Sequence, residues 1–265
     1  MNRFPAWIDG CLRAPGEAER EADDSGLLHG QACYTSALVR AGNARYAERH
    51  IERLRRDSRA LGFEPPDHRL VLQAFFDLGT AAFGPESGIV RLQVSCNARG
   101  ATRLLGTARP LRADTAQWHA FVFSHPHPGP GPWPGVKRAG DPHLAAARAA
   151  LLESGLDEAI LVDREGYVIE GARSSFVFQT AAGELVTPDP ARGGVSSIAR
   201  EIVCKAIPEI RRKSVPVSAL VRARELVAVN AVRGARVIRT LDGQPVGDPS
   251  ASALACEVAR ALAAA

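Results

Sequence analysis

The middle of the chain alternates apolar runs with turn residues. It reads Leu156-Asp-Glu-Ala-Ile-Leu-Val-Asp-Arg-Glu-Gly-Tyr-Val-Ile-Glu-Gly-Ala-Arg-Ser-Ser-Phe-Val-Phe178. The segments 159–162, 167–170 and 174–178 are rich in Ile, Val and Phe, which predicts three strands. Asp163-Arg-Glu-Gly166 has the composition of a turn and separates the first two. One acid, Glu170, stands where the second strand is expected to end.

Working outward, the rest of the chain mixes strands and amphipathic helices, which predicts an α+β fold. Further strands are expected at 7–10, 33–39, 89–95, 102–109, 118–123, 184–186 and 225–230. Helices are expected at 47–61, 70–83, 143–153, 196–207 and 253–265. The polar segment 110–117 is interpreted as a linker between an N-terminal α+β domain, 1–109, and a C-terminal domain, 118–265.

Composition narrows the class of protein. The chain has 265 residues, of which 46% are hydrophobic and 23% charged, with a net charge of +4; these values are typical of a globular protein of two domains. The basic residues are scattered, so nucleic-acid binding is not expected. Five widely spaced cysteines without a Cys-x-x-Cys pair predict neither a disulfide framework nor a metal site. No signal peptide or membrane-spanning run is apparent, which predicts a cytoplasmic protein without a membrane partner.

Lysine is nearly absent from this chain. Of the 33 basic residues three are lysines, which leaves 30 arginines. A lysine amine can lose its proton and attack a carbonyl carbon, whereas arginine stays charged. Lys205 and Lys213 lie in stretches expected to be solvated, but Lys137 stands alone in a loop rich in Pro and Gly, so it is the candidate for chemistry.

The segment 156–178 resembles the signature of class IV (fold-type IV) pyridoxal-phosphate (PLP) enzymes. Other blocks that carry the resemblance are Glu48-Arg-His-Ile-Glu-Arg-Leu54, Leu185-Val-Thr-Pro-Asp-Pro190, Ser197-Ile-Ala-Arg200 and Glu225-Leu-Val-Ala-Val-Asn-Ala-Val-Arg-Gly234. The resemblance implies a fold like that of D-amino-acid aminotransferase, with a smaller N-terminal α/β domain and a larger, β-rich C-terminal one. It also implies PLP as cofactor and a homodimer.

The same resemblance implies roles for two residues that meet the cofactor's reactive parts. Lys137 matches the lysine that forms the Schiff base with PLP and later moves protons. Glu170 matches the acid that pairs with the pyridine nitrogen and keeps the ring protonated.

Four further residues match the phosphate site of the family. Arg53 corresponds to the arginine that pairs with the phosphate, and the amides of Ile198 and Ala199 correspond to its backbone anchors at a helix N-terminus. Here Ser197 replaces the usual glycine and Ala199 replaces the usual hydroxyl residue, which removes one phosphate hydrogen bond.

The pattern favours 4-amino-4-deoxychorismate lyase, which releases 4-aminobenzoate and pyruvate in folate biosynthesis. Cys33-Tyr-Thr-Ser36, Asn230-Ala231 and the interval from Lys137 to Glu170 fit the lyases. The segment 241–247 fits transaminases equally well, so a transaminase of D-amino acids or branched-chain amino acids is the alternative. A relative that has lost catalysis and serves as a binding protein is a second alternative.

The lyase reaction implies an anionic amine as substrate. Thr35 is a candidate catalytic residue near the leaving group, or else a strand threonine that faces a neighbour. Arg91, Arg99 or Arg233 could orient the substrate carboxylates, and the sequence does not choose among them. Asn230 is a further candidate for substrate binding.

Overall fold

The computed structural model describes residues 4–19, 22–248, 250 and 252–265. They group into two compact units. Unit 1 contains Met1–Ala113 and Val136–Asp141; unit 2 contains Asp114–Gly135 and Pro142–Ala265. None of the helices in the described residues combines the length and the apolar character needed to cross a bilayer. The domain boundaries expected from the sequence stay a prediction.

Unit 1 is an antiparallel sheet with helices. Its elements are β1 (Ala6–Ile8), β2 (Cys11–Arg13), α1 (Ser25–His29), β3 (Cys33–Arg40), β4 (Asn43–Ala44), α2 (Ala47–Ala60), α3 (His68–Phe83), β5 (Ser87–Cys96) and β6 (Thr102–Pro110). The strand order is β2-β1-β6-β5-β3-β4, and every pair is antiparallel. The predicted strands and helices of this half are confirmed; the short elements β2, β4 and α1 were not predicted.

The helix α2 buries more than its apolar stripe. Ile51, Leu54 and Ser58 are buried as the helical spacing predicts. His50, Arg53 and Asp57 are buried as well. Because buried ionisable groups are stable only where other polar groups hold them, this second row of side chains is where α2 departs from an ordinary amphipathic helix.

Residues 136–141 run along β3. Lys137 O accepts from Tyr34 N at 3.0 Å, and Ala139 N donates to Ala32 O at 2.7 Å. Gly140 comes so close to Gly30 that a Cβ atom would lie 2.6 Å from the Gly30 Cα. The sequence predicts that residues 136–141 belong to the C-terminal domain, 118–265. In the structure their backbone is hydrogen-bonded to residues of unit 1.

Unit 2 contains one large mixed sheet. Its elements are β7 (Gln117–Val122), α4 (Pro142–Ser154), β8 (Glu158–Val162), β9 (Val168–Gly171), β10 (Ser175–Gln179), β11 (Leu185–Pro188), a 3-10 turn (Pro190–Arg192), α5 (Ile198–Ala206), β12 (Arg211–Lys213), α6 (Val217–Val221), β13 (Glu225–Asn230), β14 (Gly234–Leu241), β15 (Gln244–Pro245) and α7 (Ala253–Ala263). The order is β12-β11-β10-β13-β14-β7-β8-β9, with β15 on β14. The α+β class is confirmed.

The strands of the 156–178 segment are buried on both faces. Ile160 and Val168 lie in one apolar cluster, while Ala159, Leu161 and Ile169 lie in another with Leu144 and Leu151 of α4. Since successive side chains of a strand point to opposite faces, this explains why the strands read as continuous apolar runs.

The strand β14 and the edge strand β12 were not predicted. Residues 234–241 contain three polar or charged positions that interrupt the apolar pattern, and β14 is paired with β13, β15 and the distant β7. The helix α5 begins at Ile198 rather than at 196 because the Ser197 side chain caps it by accepting from Arg200 N.

A carboxyl group is fully buried where β8 begins. Glu158 Oε1 accepts from Ala159 N at 3.0 Å and Arg173 N at 3.2 Å, and Ser174 Oγ lies 2.5 Å from Oε2. Burial raises the pKa of Glu158 to about 7, although these hydrogen bonds lower it in part. The Glu158 carboxyl group therefore holds the turn between β9 and β10 in place through Arg173 N and Ser174 Oγ.

We expect Glu158 to make stability depend on pH. Its pKa is higher in the fold than the ordinary 4.5, so the folded chain holds this proton more tightly than the unfolded chain does. Its contribution is fully present below the unfolded pKa and is lost as the pH rises through 7, by on the order of 3 kcal/mol. Glu158→Gln, which resembles the protonated acid, should flatten the free energy of unfolding in urea between about pH 5 and pH 8.

The exposed Glu209→Gln serves as the matched control and should keep the wild-type slope. A Glu158→Gln variant whose stability still falls as steeply as that of the wild type would contradict the assignment.

Candidate active site

Lys137 is held through its backbone in unit 1. Lys137 N donates to Asp57 Oδ2 at 3.0 Å, while its carbonyl accepts from Tyr34. Asp57 is fully buried, and its other oxygen accepts from the Arg56 guanidinium. Since hydrogen bonds to a charged acceptor are strong, Asp57 fixes the point from which the lysine side chain leaves the loop.

The lysine side chain shares an aromatic ring with Arg91. Lys137 Nζ lies 5.0 Å from the centroid of the Tyr34 ring, and Arg91 Cζ lies 3.7 Å from the same centroid. The register places Arg91 opposite Ser36 and Gln93 opposite Tyr34, so these side chains stand on one face of the sheet. Two cations next to one ring form an electropositive patch.

Thr35 points away from that patch. It follows Tyr34 in the strand and therefore faces α2, where it is fully buried with Oγ1 2.5 Å from His50 Nδ1. Burial and the charge of Arg53 lower the pKa of His50 to about 3, so the imidazole is neutral. The Thr35 hydroxyl thus contacts His50, as a strand threonine that faces its neighbour would. Its role near a leaving group stays a prediction.

Arg53 is buried on the same side of α2 as His50 and Asp57. A buried guanidinium is costly unless anionic or carbonyl groups surround it, which suits a residue that meets a phosphate. Cys33, whose Sγ lies 3.6 Å from Ser58 Oγ of α2, is no nucleophile, because burial raises the pKa of its thiol to about 12.

In unit 2, Glu170 is the last residue but one of β9 and is only 8% exposed. Its Oε2 accepts from Val195 N at 3.1 Å. Arg200 is even more deeply buried, and its Nη2 donates to Val195 O at 2.9 Å. Val195 thus contacts Glu170 of β9 through its amide and Arg200 of α5 through its carbonyl oxygen.

The N-terminus of α5 lies just after Val195. Ser197 Oγ accepts from Arg200 N at 3.3 Å, so the cap uses the serine that replaces the family glycine. Ile198 and Ala199 are buried and occupy the first turn, where the helix itself supplies no acceptor for the amides. These amides form an electropositive helix end.

Asn230 and Arg233 have structural partners. Asn230 Oδ1 accepts from Val232 N at 3.0 Å and Arg233 N at 2.6 Å, which shapes the turn between β13 and β14. Arg233 Nη1 lies 3.4 Å from Asp114 Oδ2. Arg99 is exposed in the turn between β5 and β6. Arg91, by contrast, lies against the Tyr34 ring that Lys137 also approaches.

Sequence reasoning missed Tyr34, Asp57 and Arg200. Each stands inside or beside a quoted block: Asp57 is one helical turn after Arg53, and Arg200 ends Ser197-Ile-Ala-Arg200. The spacing in α2 was a usable signal, since residues four apart share a face. Nothing in the sequence showed that Asp57 meets a backbone amide 80 residues away.

Comparison with known proteins agrees with the family resemblance found in the sequence. The profile of the amino-transferase class IV family matches residues 32–241, which is most of the chain. The chain belongs to this family. The expectation of a PLP-dependent class IV enzyme is thereby confirmed, as is the fold-type IV architecture.

Several relatives are similar over nearly their whole length. A bifunctional aminodeoxychorismate lyase / D-amino acid transaminase of Mycobacterium tuberculosis is 25% identical, covering 89% of this chain and 91% of the relative. The solved 4-amino-4-deoxychorismate lyase of Pseudomonas aeruginosa is 26% identical with a TM-score of 0.80, covering 97% of both chains. A PLP-bound hypothetical aminotransferase from Mycobacterium tuberculosis has a TM-score of 0.83 at 23% identity, covering 98% of this chain and 99% of that one.

We expect Asp57 to set the rigidity of the Lys137 segment. Asp57→Ala removes the acceptor of Lys137 N, so hydrogen exchange of the amides at 136–139 should accelerate by about tenfold or more, the loss of a charge-assisted bond. Asp57→Asn keeps an oxygen acceptor and should have a smaller effect. Mass spectrometry of a peptide that covers these residues measures the rate.

Exchange in α3 serves as the internal reference and should not change. If the amides of 136–139 exchanged as slowly in a folded Asp57→Ala protein as in the wild type, the hydrogen bond from Lys137 N to Asp57 would not stabilise this segment.

Proposed function

We propose that this enzyme is a PLP-dependent lyase that converts 4-amino-4-deoxychorismate into 4-aminobenzoate and pyruvate. The observation that carries the proposal is the similarity, over nearly the full length, to one relative named a lyase / transaminase and to a second named a lyase. The placement of Arg91 beside Lys137 adds support, because the substrate carries two carboxylates.

The residues present fit PLP. In unit 2, the nearly buried carboxylate of Glu170 suits a protonated pyridine nitrogen, and the amides of Ile198 and Ala199 suit a phosphate. In unit 1, Arg53 is a buried cation of the kind that binds a phosphate. When bound, PLP supplies an aldehyde that condenses with amines and a protonated ring that accepts electrons.

Lys137 is proposed as the residue that moves protons. Its free amine accepts the proton from C4 of the substrate, and the electron pair of that C–H bond enters the developing aromatic ring as the C3–O bond breaks. The enolpyruvate that leaves gains a proton and becomes pyruvate. No atom is gained or lost overall, and no oxidant is needed.

Arg91 is proposed to hold a substrate carboxylate. Its guanidinium lies against the Tyr34 ring and donates to Gln93 Oε1 at 3.1 Å, which orients its planar fork. A carboxylate bound there would lie next to the Tyr34 ring, which the Lys137 amine also approaches. The site would then favour anionic amines over neutral ones.

Transamination of D-amino acids is the second candidate function. One observation favours it: the name of the 25%-identical relative joins both activities. The same lysine and the same acid serve either reaction, since both begin by removing a proton next to the substrate nitrogen. The homodimer stays a prediction of the resemblance, and the cytoplasmic location stays a prediction from the sequence.

Two assays separate these functions. The purified protein with added PLP should release 4-aminobenzoate and pyruvate from aminodeoxychorismate. The same preparation, offered D-alanine and 2-oxoglutarate, measures amino transfer. Amino transfer without release of 4-aminobenzoate would show that the enzyme is a transaminase and not a lyase. A protein that binds PLP but catalyses neither reaction would be a binding protein.

Lys137→Ala should abolish product formation and the absorbance of the Schiff base. Borohydride reduction of the wild type should leave the cofactor on Lys137 alone among the three lysines. Lys205→Ala and Lys213→Ala are matched controls, since both lysines are exposed, and they should retain full activity. A reduced adduct at either control position would contradict the assignment of Lys137.

We expect Arg91→Ala to weaken substrate binding more than turnover. Loss of one charge-assisted carboxylate contact should raise KM by about tenfold or more and lower kcat less. Arg91→Lys should recover part of the loss, because it keeps the charge without the bidentate fork. Steady-state kinetics with aminodeoxychorismate measures both constants.

Arg59→Ala, which changes an exposed arginine of α2, is the control and should have wild-type kinetics. An unchanged KM in Arg91→Ala would exclude Arg91 as the carboxylate partner.

A further inference from the structure

Arg200 is a buried cation whose role no reaction step accounts for. It lies in the first turn of α5 and is only 2% exposed. Its Nη2 donates to Val195 O, and among the described residues its Nε has no hydrogen-bond acceptor. A guanidinium buried in this way is costly, and structures retain such a group where its charge or its donors are used.

Val195 connects Arg200 to Glu170. The carbonyl of Val195 accepts from Arg200 at 2.9 Å, and the amide of the same residue donates to Glu170 Oε2 at 3.1 Å. Arg200 belongs to α5 and Glu170 to β9, so a single loop residue is held from both sides. A shift of Arg200 therefore moves the donor that orients the acid.

The charges of the two residues also act on each other. Burial lowers the pKa of Arg200, and the carboxylate of Glu170 is the first of the charges that raise it again. Arg212 adds a weaker repulsion, and Cys204 and Glu201 add weaker attractions. By reciprocity, the Arg200 charge favours the ionised form of Glu170, which burial alone would disfavour.

We propose that Arg200 is a positioning residue for Glu170, whose carboxylate it aims through Val195. The positive charge that accompanies this contact also favours the ionised acid. This inference rests on the proposed role of Glu170 as partner of the pyridine nitrogen. An acid that is ionised and fixed in direction holds a proton on that nitrogen; a neutral acid does not.

The test separates the charge of Arg200 from its hydrogen bond. Arg200→Gln keeps a donor for Val195 without the charge, Arg200→Met keeps neither, and Arg200→Lys keeps the charge. The exposed Lys205→Met on the same helix is the matched control. All are assayed as the full chain, with circular dichroism to confirm that each is folded.

The first readout is the nitrogen chemical shift of bound PLP labelled with nitrogen-15 in its ring. We expect the wild type, Lys205→Met and, in large part, Arg200→Lys to show a protonated nitrogen. Arg200→Gln and Arg200→Met should shift toward the unprotonated value that Glu170→Gln shows, with PLP affinity weaker by about tenfold. Folded Arg200→Met with the wild-type shift and affinity would overturn the proposal.

The second readout needs no cofactor. In urea unfolding of the apo protein, the effects of Arg200→Gln and Glu170→Gln should not multiply: if each raises the unfolding constant about tenfold, the double variant should stay well below about a hundredfold. Multiplicative effects would overturn the coupling. A coupled pair in a wild type that fails to bind PLP would instead sink the proposed function and leave the coupling intact.

Discussion

Burying an ionised group costs several kcal/mol unless hydrogen bonds and opposite charges hold it, and this cost shapes both units of the chain. In unit 1, Asp57 is fully buried and is held by the Arg56 guanidinium and the amide of Lys137. In unit 2, Glu170 is held by the amide of Val195. In each case the hydrogen bond that satisfies the buried acid also places a candidate site residue, Lys137 in unit 1 and Glu170 in unit 2, so stability and placement cannot be separated here.

The two sheets give these acids their neighbours. In unit 1, the alternation of β3 sends Tyr34 to the face with Arg91, while Thr35 is sent to α2 and His50. A shift of one residue in register would exchange the two, which would turn the tyrosine toward α2 and the threonine toward the face of Arg91. The face on which each residue of the Cys33–Ser36 block acts is therefore a property of the strand pairing, not of the residue type.

Most secondary structure could be predicted from local pattern. The helices α2, α3 and α4 and the strands of 156–178 have clear periodicity or composition, and their positions agree with the predictions within a few residues. The strand β14 escaped because its polar positions hide its pattern, and one of its partners, β7, is remote in sequence. The short β2, β4 and β15 escaped because two or three residues carry no periodicity.

The sequence by itself determined the family, because the ordered blocks and the isolated Lys137 are local features that the chain carries whether folded or not. It also determined which residue types could do the chemistry. Only the tertiary structure decided that Asp57 fixes Lys137, that Arg91 shares the Tyr34 ring with it, and that Arg200 reaches Glu170 through Val195. The physical reason is that these contacts join residues far apart along the chain or on separate elements, and strand register and helix packing bring them together.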